Sequence, residues 1–248
     1  MSERTLFLAW RDTEQSRRWF PVGQLDADIE HPLYRFRYTG GAEQAQSEAG
    51  FPLLLEFPEP RKVYQSSELF PIFKNRVMSK SRPDFVEYMH NLGLDETADP
   101  MQILAVSGGR RVTDAYEVFP KIEKLEDGSF TCRFFLHGSR YTNADARKRI
   151  ERLVEDESLY VTLELTNPAT GLAVQFQTED YYMIGWAPRY LVYDLAKAMA
   201  ESPPEYEAHV VRLNPPPAPA NHRVLIEMSG RWDKHEPMSS DDYKPLVP

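Results

Sequence analysis

The sequence contains little that would place the protein in a membrane or outside the cell. A single cysteine, Cys132, among 248 residues cannot form an internal disulfide. No apolar run approaches the roughly 18 residues needed to span a bilayer. The N-terminal apolar stretch, LFLAW, is followed at once by charged residues and is shorter than a secretory signal requires. These absences together predict a cytoplasmic protein.

Positive charge is also scarce. The chain has 29 Lys and Arg residues against 38 Asp and Glu residues, which gives a formal net charge of -9. A protein that coats duplex DNA through charge alone needs the opposite balance. The composition therefore excludes that mode of binding, but it allows a small basic pocket that holds one end of a strand.

The short motifs of common enzymes and metalloproteins are missing. There is no GxxxxGK[ST] phosphate loop, no GxGxxG turn and no GxSxG nucleophile motif. The six histidines show no HxxxH spacing. Cys132 lies in an alternating apolar segment, which indicates a core thiol rather than a nucleophile. We predict no catalytic residue, no metal ion and no cofactor, and a hydrolytic enzyme is the least favoured function.

The patterns that are present predict an α+β protein. Apolar segments with strand character predict strands over residues 6–10, 22–25, 33–38, 51–58, 130–137, 158–165, 172–177, 181–186, 206–213 and 223–228. Helical spacing predicts helices over residues 69–78, 84–92, 101–106, 143–154 and 189–199. The polar, Gly- and Ala-rich stretch 39–50 is expected to be a loop. In helix 143–154, the expected core residues are Ile150, Leu153 and Val154, and Arg147, Lys148, Arg149 and Arg152 are expected to face solvent.

A change of pattern near Asp127-Gly128 predicts two domains, residues 1–127 and residues 128–248. The second contains many short strands and two helices. This combination is typical of a small closed or nearly closed sheet of the OB or SH3 type.

The second half carries several motifs in a fixed order. They are Gly138-x-Arg140-Tyr141, then a helix, then Asn167-Pro168, Ala173-Val174 and Ile184-Gly185-x-x-Pro188-Arg189. In these motifs and their order the segment resembles the HIRAN domain. The resemblance implies an OB-like β-barrel with two helices. In eukaryotic members of that family the barrel holds the 3′ end of single-stranded DNA.

The first half carries a second set of motifs, LFPIFKN followed by GL and DPMQILAVSGG. These resemble the small N-terminal subdomain of HipA-type toxin kinases, which implies a mixed sheet with helices. The kinase core that follows in that family is absent, so the resemblance implies binding to a protein partner rather than phosphoryl transfer. Gly108-Gly109, followed by Arg110-Arg111, is either a helix C-cap or an anion-binding nest.

Arg140 and Tyr141 match a pair of residues at a strand end in the family that this segment resembles. An arginine can clamp a phosphate with two hydrogen bonds, and a tyrosine ring can stack on an unpaired base. The alternative is a surface arginine beside a half-buried tyrosine. Family members that hold a 3′ end carry an aromatic residue and a carboxylate after the Asn-Pro pair. This sequence keeps the pair, Asn167-Pro168, but has Ala169 and Thr170 after it. A threonine accepts a hydrogen bond from a 3′-hydroxyl only weakly, so phosphate and stacking contacts are the firmer expectation.

The segment YYMIGWAPRYL joins a strand to a helix. Gly185 would allow the backbone to approach a phosphate, and Arg189 in the first helical turn would face an anion together with the helix dipole. The alternative is a plain strand-to-helix turn with a solvated arginine. Trp186 is either a stacking platform or a core residue. Tyr181 and Tyr182 are expected to face opposite sides of a strand, with Tyr182 a candidate DNA contact.

These patterns favour a non-enzymatic protein that engages single-stranded or end-containing DNA, with an N-terminal protein-interaction module. The nucleic-acid contacts expected are Arg140, Tyr141, Asn167, Thr170, Tyr182, Gly185, Trp186 and Arg189. The alternative is an antitoxin-like regulatory protein that binds a kinase and retains the barrel only as a scaffold.

Overall fold

A computed structural model of the chain describes residues 3–14 and 16–248. The strands, in chain order, are β1 (Glu3–Arg11), β2 (Trp19–Asp28), β3 (Leu33–Tyr38), β4 (Tyr64–Ser66), β5 (Tyr116–Pro120), β6 (Ser129–Phe135), β7 (Leu159–Asn167), β8 (Gly171–Thr178), β9 (Met183–Trp186), β10 (Glu207–Leu213) and β11 (Val224–Arg231). The helices are α1 (Gly40–Ala49), α2 (Pro71–Lys74), α3 (Phe85–Asn91), α4 (Pro100–Ser107), α5 (Ala144–Ile150) and α6 (Val192–Glu201). No helix of this described part is long and apolar enough to cross a membrane.

The chain forms two compact units that interleave along the sequence. Unit 1 comprises the residues up to Val86, Glu96–Lys121 and Met238–Pro248, and unit 2 comprises Glu87–Asp95 and Ile122–Pro237. Both units combine helices with antiparallel sheets, so the α+β class is confirmed. The domain division at residues 127 and 128 stays a prediction.

Unit 1 is built on a five-stranded antiparallel sheet with the order β4-β3-β2-β1-β5. The predicted strands 6–10, 22–25 and 33–38 are confirmed. In β3 the alternating pattern buries Phe36 and Tyr38 completely. The ring of Phe36 stacks on Phe57 at 4.0 Å between centroids, and the hydroxyl of Tyr38 donates a 2.9 Å hydrogen bond to the carbonyl oxygen of Phe57. An aromatic core therefore fixes one face of the sheet.

The expectation of a loop at residues 39–50 is wrong, because this segment is helix α1. The small residues Gly41, Ala42 and Ala45 are buried on one face of it. A Cβ atom on Gly41 would collide with the carbonyl oxygen of Pro21, so the glycine permits helix-to-strand contact. Gly50 ends the helix in the left-handed conformation, with φ 66°.

The expected strand at residues 51–58 is also wrong. Its backbone forms turns, and it packs through Phe51, Leu54 and Phe57, which are buried while Leu55 is 99% exposed. The spacing of three between the buried residues suits a turn-containing segment rather than a strand. The predicted helix at 69–78 is present only as the single turn α2.

Helix α4 confirms the predicted helix 101–106. Asp99 and Gln102 form a reciprocal capping box, and Gly108 ends the helix with φ 72°. The amide of Gly109 donates to Ser107 Oγ at 3.2 Å, and its carbonyl oxygen accepts from Arg76 Nη1 at 2.9 Å. The Gly-Gly pair is therefore a C-cap with internal partners, as the first of the two interpretations predicted.

Unit 2 contains two three-stranded antiparallel sheets, with the orders β10-β11-β6 and β7-β8-β9. The predicted strands 130–137, 158–165, 172–177, 206–213 and 223–228 are confirmed. Neither sheet of the described chain is a closed ladder, so of the closed or nearly closed sheet that was expected, the fully closed form is absent from the described residues. Isolated bridges instead join their outer strands, between His137 and Trp186 on one side and between Ser158 and His209 on the other.

The core of unit 2 is aromatic as well. Trp232 is fully buried, stacks on Phe130 at 3.9 Å between centroids and donates its indole N–H to the carbonyl oxygen of Asp194 at 2.8 Å. Helices α3, α5 and α6 confirm the predicted helices 84–92, 143–154 and 189–199, although α5 ends at Ile150. Because the helix stops early, Val154 lies beyond it and is 61% exposed, which corrects its assignment to the core.

Candidate functional site

The turn that follows β6 carries the first two predicted site residues. Gly138 adopts the left-handed conformation with φ 73°, and Ser139–Tyr141 form a 3-10 turn, so Arg140 and Tyr141 lie beyond the strand rather than at its end. The guanidinium carbon of Arg140 lies 4.7 Å from the centroid of the Tyr141 ring, and its Nη2 donates a 2.6 Å hydrogen bond to the tyrosine hydroxyl. Both side chains are exposed, Tyr141 by 70%. We call residues Gly138–Tyr141 the Arg140 turn.

Arg140 differs from Lys148 and Arg149 of α5 in its ion pairing. Among the described residues no carboxylate lies within ion-pair distance of Arg140. Arg149, by contrast, pairs with Glu157 and with Asp180, the latter at 3.0 Å. Lys148 pairs with a carboxylate one turn away on the same helix. The expectation that Arg149 faces solvent is thus corrected, since its side chain is only 20% exposed.

Trp186 connects the Arg140 turn to the sheet β7-β8-β9. Its backbone exchanges two hydrogen bonds with His137, at 2.9 and 3.0 Å. A Cβ atom on Gly138 would lie 2.6 Å from Cε3 of the indole, so only glycine allows the ring to pack against this turn. The indole is partly exposed, and its Nε1 donates a 2.6 Å hydrogen bond to Glu164 Oε2. The ring is therefore held in one orientation beside the exposed Arg140 turn.

Glu164 also holds the turn between β7 and β8. The same oxygen, Oε2, accepts a 2.9 Å hydrogen bond from the side-chain amide of Asn167. Asn167 Oδ1 in turn accepts from the amide of Ala169 at 3.0 Å and from the hydroxyl of Thr170 at 3.1 Å. The structure thus brings Asn167, Thr170 and Trp186 together through one carboxylate. We call Glu164, Asn167, Thr170 and Trp186 the Glu164 cluster.

Glu164 was not predicted from the sequence. Its signal is a charged residue in the alternating segment YVTLELTN, where Tyr160, Thr162 and Glu164 share one face of β7. Asn167 lies close along the chain, but the indole partner lies 22 positions away. Only the pairing of β7 with β8 and of β8 with β9 brings that indole within reach.

Gly185 has a structural explanation that needs no ligand. It is buried, with φ 155°, and a Cβ atom there would lie 2.9 Å from the carbonyl oxygen of His137. The close approach it permits is therefore to its own chain. Its role as a DNA contact stays a prediction.

Arg189 begins a 3-10 turn, Arg189–Leu191, that runs into α6. Pro188 precedes it as the N-cap residue, and the amide of Leu191 donates to the Pro188 carbonyl oxygen at 3.0 Å. The arginine side chain is exposed. A strand-to-helix turn is thus present, and the contribution of Arg189 to an anion site stays a prediction.

The two adjacent tyrosines do not face opposite sides of a strand. Strand β9 begins only at Met183, so Tyr181 and Tyr182 belong to the preceding turn and both are exposed, by 75% and 36%. Tyr181 has a positive φ of 65° and stacks on Tyr160 at 5.6 Å between centroids. Tyr182 precedes β9 and Trp186 ends it, so the strand separates Tyr182 from the Glu164 cluster.

The described residues contain no group of three or more His, Cys, Asp or Glu side chains arranged to hold a metal ion. Cys132 is buried in β6, and burial raises the pKa of its thiol, with the nearby carboxylate of Glu227 adding to the effect. The core assignment of this thiol is confirmed.

Comparisons with known proteins give few matches. No family model matches the chain, and no curated protein matches it. Among solved structures, the chain is similar to a protein from Lactobacillus plantarum, with 15% identity over 43% of this chain and 100% of the other, and a TM-score of 0.33. It is also similar to the HIRAN domain of human HLTF, with 17% identity over 44% of this chain and 84% of the other, and a TM-score of 0.32. Both TM-scores are too low to establish a shared fold or to support a function.

Proposed function

We propose that unit 2 binds single-stranded DNA, or the single-stranded end of a duplex, at the Arg140 turn and the Glu164 cluster. The observation that carries the proposal is the exposed Arg140–Tyr141 pair. An arginine without a carboxylate partner in the described chain lies 4.7 Å from an exposed aromatic ring. This combination offers hydrogen-bond donors for a phosphate and a stacking surface for a base on one short turn.

The chemistry suits an unpaired strand better than a duplex. Tyr141 can stack on any base, because every base has a π-face, and such stacking contributes about 1–3 kcal/mol per base. Bases inside a duplex are already stacked on their neighbours. Trp186 adds a second ring whose orientation is fixed by Glu164. The formal net charge of -9 is compatible with such a site, because few phosphates need to be contacted.

The Glu164 cluster could distinguish between chemical forms of the 3′ end of a DNA strand. Glu164 Oε2 has two donors, and Oε1 has no hydrogen-bond partner in the described part of the chain. A carboxylate oxygen accepts a hydrogen bond from a hydroxyl and repels a phosphate. Glu164 together with Thr170 would therefore favour a 3′-hydroxyl over a 3′-phosphate, although the aromatic residue and carboxylate of the related family are replaced by Ala169 and Thr170.

The proposal is tested by fluorescence anisotropy of labelled oligonucleotides with the full-length protein. The ligands are a single strand with a 3′-hydroxyl, the same strand with a 3′-phosphate, and a blunt duplex, each at low and moderate salt. We expect single strands to bind more tightly than the duplex. With one or two phosphates contacted, the plot of log K against log salt should have a shallow slope of about -1.

Two charge-reversal variants distinguish binding at this site from a non-specific effect of the protein's charge on DNA affinity. Arg140→Glu should weaken single-strand binding about 10- to 100-fold, the range for losing a charge-assisted hydrogen bond. The melting curve should not change, because Arg140 is exposed. Lys148→Glu makes the same charge change on α5 of the same unit and should alter affinity less than about twofold. Equal losses in both variants, or unchanged affinity in Arg140→Glu, would refute the site.

We propose, as a second candidate, that the N-terminal region binds a protein partner, as an antitoxin-like regulator of a kinase would. Unit 1 exposes two apolar side chains almost completely, Leu55 by 99% and Val112 by 106%. Replacing either by Ser should weaken co-purification of a kinase with the full-length chain and leave its folding intact. Co-purification that both variants retain would exclude these residues, and no stable partner would count against the role.

A further inference from the structure

Unit 1 contains a second group of cations that neither proposed function uses. The guanidinium carbons of Arg11 and Arg110 lie 6.0 Å and 5.6 Å from the centroid of the Trp19 ring. Arg11 and Trp19 face each other across the antiparallel pair β1 and β2, and Arg110 follows the Gly-Gly cap of α4. Two cations thus lie at cation–π distance from one indole in a chain with a formal net charge of -9.

Arg11 has unused hydrogen-bond donors. Its Nε is buried and has no hydrogen-bond partner in the described structure. Its terminal nitrogens make no hydrogen bond or ion pair with any described residue either. A guanidinium carries five N–H donors, and a buried donor without an acceptor costs about 1–3 kcal/mol. An acceptor from outside the chain would remove that cost.

No carboxylate of the described residues pairs with Arg11. Glu117 is buried and accepts a 2.5 Å hydrogen bond from Arg110 Nη2. Glu48 pairs with Arg18. The carboxylate of Asp12 accepts hydrogen bonds from the amides of Glu14 and Ser16 and from the Ser16 hydroxyl. Arg11 therefore keeps an unbalanced positive charge at the ring that Arg110, itself paired with Glu117, also contacts.

We propose that Arg11 and Arg110, together with Trp19, form a binding site for a phosphate group. The planar fork of Arg11 matches two phosphate oxygens, and a tetrahedral phosphate has further oxygens for the second guanidinium. The Trp19 ring holds both cations by cation–π contact and so limits their rotamers. The same phosphate chemistry occurs in a free or nucleotide monoester and in the phosphodiester of a nucleic-acid strand. This site is independent of the DNA site proposed on unit 2.

The test is thermal unfolding of the full-length protein in inorganic phosphate and in chloride of equal ionic strength. At ten times its dissociation constant, phosphate should raise the Tm of the wild type by about 3–5 °C. Arg11→Gln should lose this rise. Without phosphate, Arg11→Gln should be at least as stable as the wild type, because the substitution removes donors that have no acceptor. Arg61→Gln, which removes an exposed cation elsewhere in unit 1, is the matched control and should keep the rise.

A second variant and two further ligands complete the experiment. Arg11→Lys keeps the charge but loses the fork, and should retain only part of the phosphate-dependent rise. A nucleoside monophosphate and a dinucleotide with one phosphodiester then distinguish the two sources of phosphate, since a site for monoesters alone responds only to the first. The proposal is overturned if the wild type shows no phosphate-dependent rise, or if Arg11→Gln and the wild type rise equally.

Discussion

The hydrogen bond between Trp186 and Glu164 should stabilise unit 2 as well as fix the indole. Its donor–acceptor distance is 2.6 Å, and its acceptor is a carboxylate. A hydrogen bond to a charged group contributes about 1.5–3 kcal/mol when buried. Both partners are partly exposed here, so water competes and a value of about 1 kcal/mol is expected. This corresponds to a change of about fivefold in the unfolding equilibrium constant.

A double-mutant cycle isolates this contribution. Trp186→Phe keeps a ring but removes the donor, and Glu164→Ala removes the acceptor. The free energies of unfolding of the wild type, both single variants and the double variant are measured in urea by circular dichroism. We expect a coupling energy of about 1 kcal/mol. Additive effects within about 0.3 kcal/mol would show that the contact does not hold the indole, and would weaken the argument for Trp186 as a fixed stacking surface.

Two further predictions concern buried groups. Burial raises the pKa of the Cys132 thiol, so a thiol reagent at pH 8 should label the folded protein slowly and the urea-unfolded protein quickly; equal rates would contradict the core position. The side chain of Arg76 is 2% exposed, and it bonds to Asp114 at 2.7 Å and to the carbonyl oxygens of Ile72 and Gly109. Arg76→Met should therefore lower the free energy of unfolding by about 3–5 kcal/mol in a urea titration, and a loss below about 1 kcal/mol would contradict a structural role for this network.

The elements that the sequence predicted well are those with local signals. Helix α4 was predicted because its capping residue Asp99, its N-terminal proline and its glycine C-cap lie next to one another in the chain. Strands such as β3 were predicted because alternation is a property of neighbouring residues.

The elements that were predicted wrongly depend on contacts between residues that are far apart in the sequence. Helix α1 is rich in Gly and Ala and has little apolar contrast, and its stability comes from close packing on Pro21. The segment around Leu55 has the composition of a strand, but it turns so that Phe51 and Phe57 reach the aromatic core. Arg140 and Tyr141 could be found because they are adjacent. Glu164 could not, because its indole partner is reached only through strand pairing.

The interleaving of the two units has a consequence for how the chain folds during synthesis. Residues 238–248 belong to unit 1, where the amide of Leu246 donates to Tyr38 and the ring of Tyr243 packs on Phe7. These residues are made only after all of unit 2, so the nascent sheet of unit 1 must wait for its last contacts.

A folded unit 2 lowers the entropic cost of forming these last contacts. Near the two ends of its longer segment, Ile122–Pro237, Lys124 Nζ donates to the carbonyl oxygen of His235 at 2.9 Å. Once folded, unit 2 replaces a flexible connection over residues 122–237 by a fixed one, which relieves unit 1 of about 4 kcal/mol of loop-closure entropy. A folded unit 2 would thus make it less costly for residues 238–248 to complete unit 1.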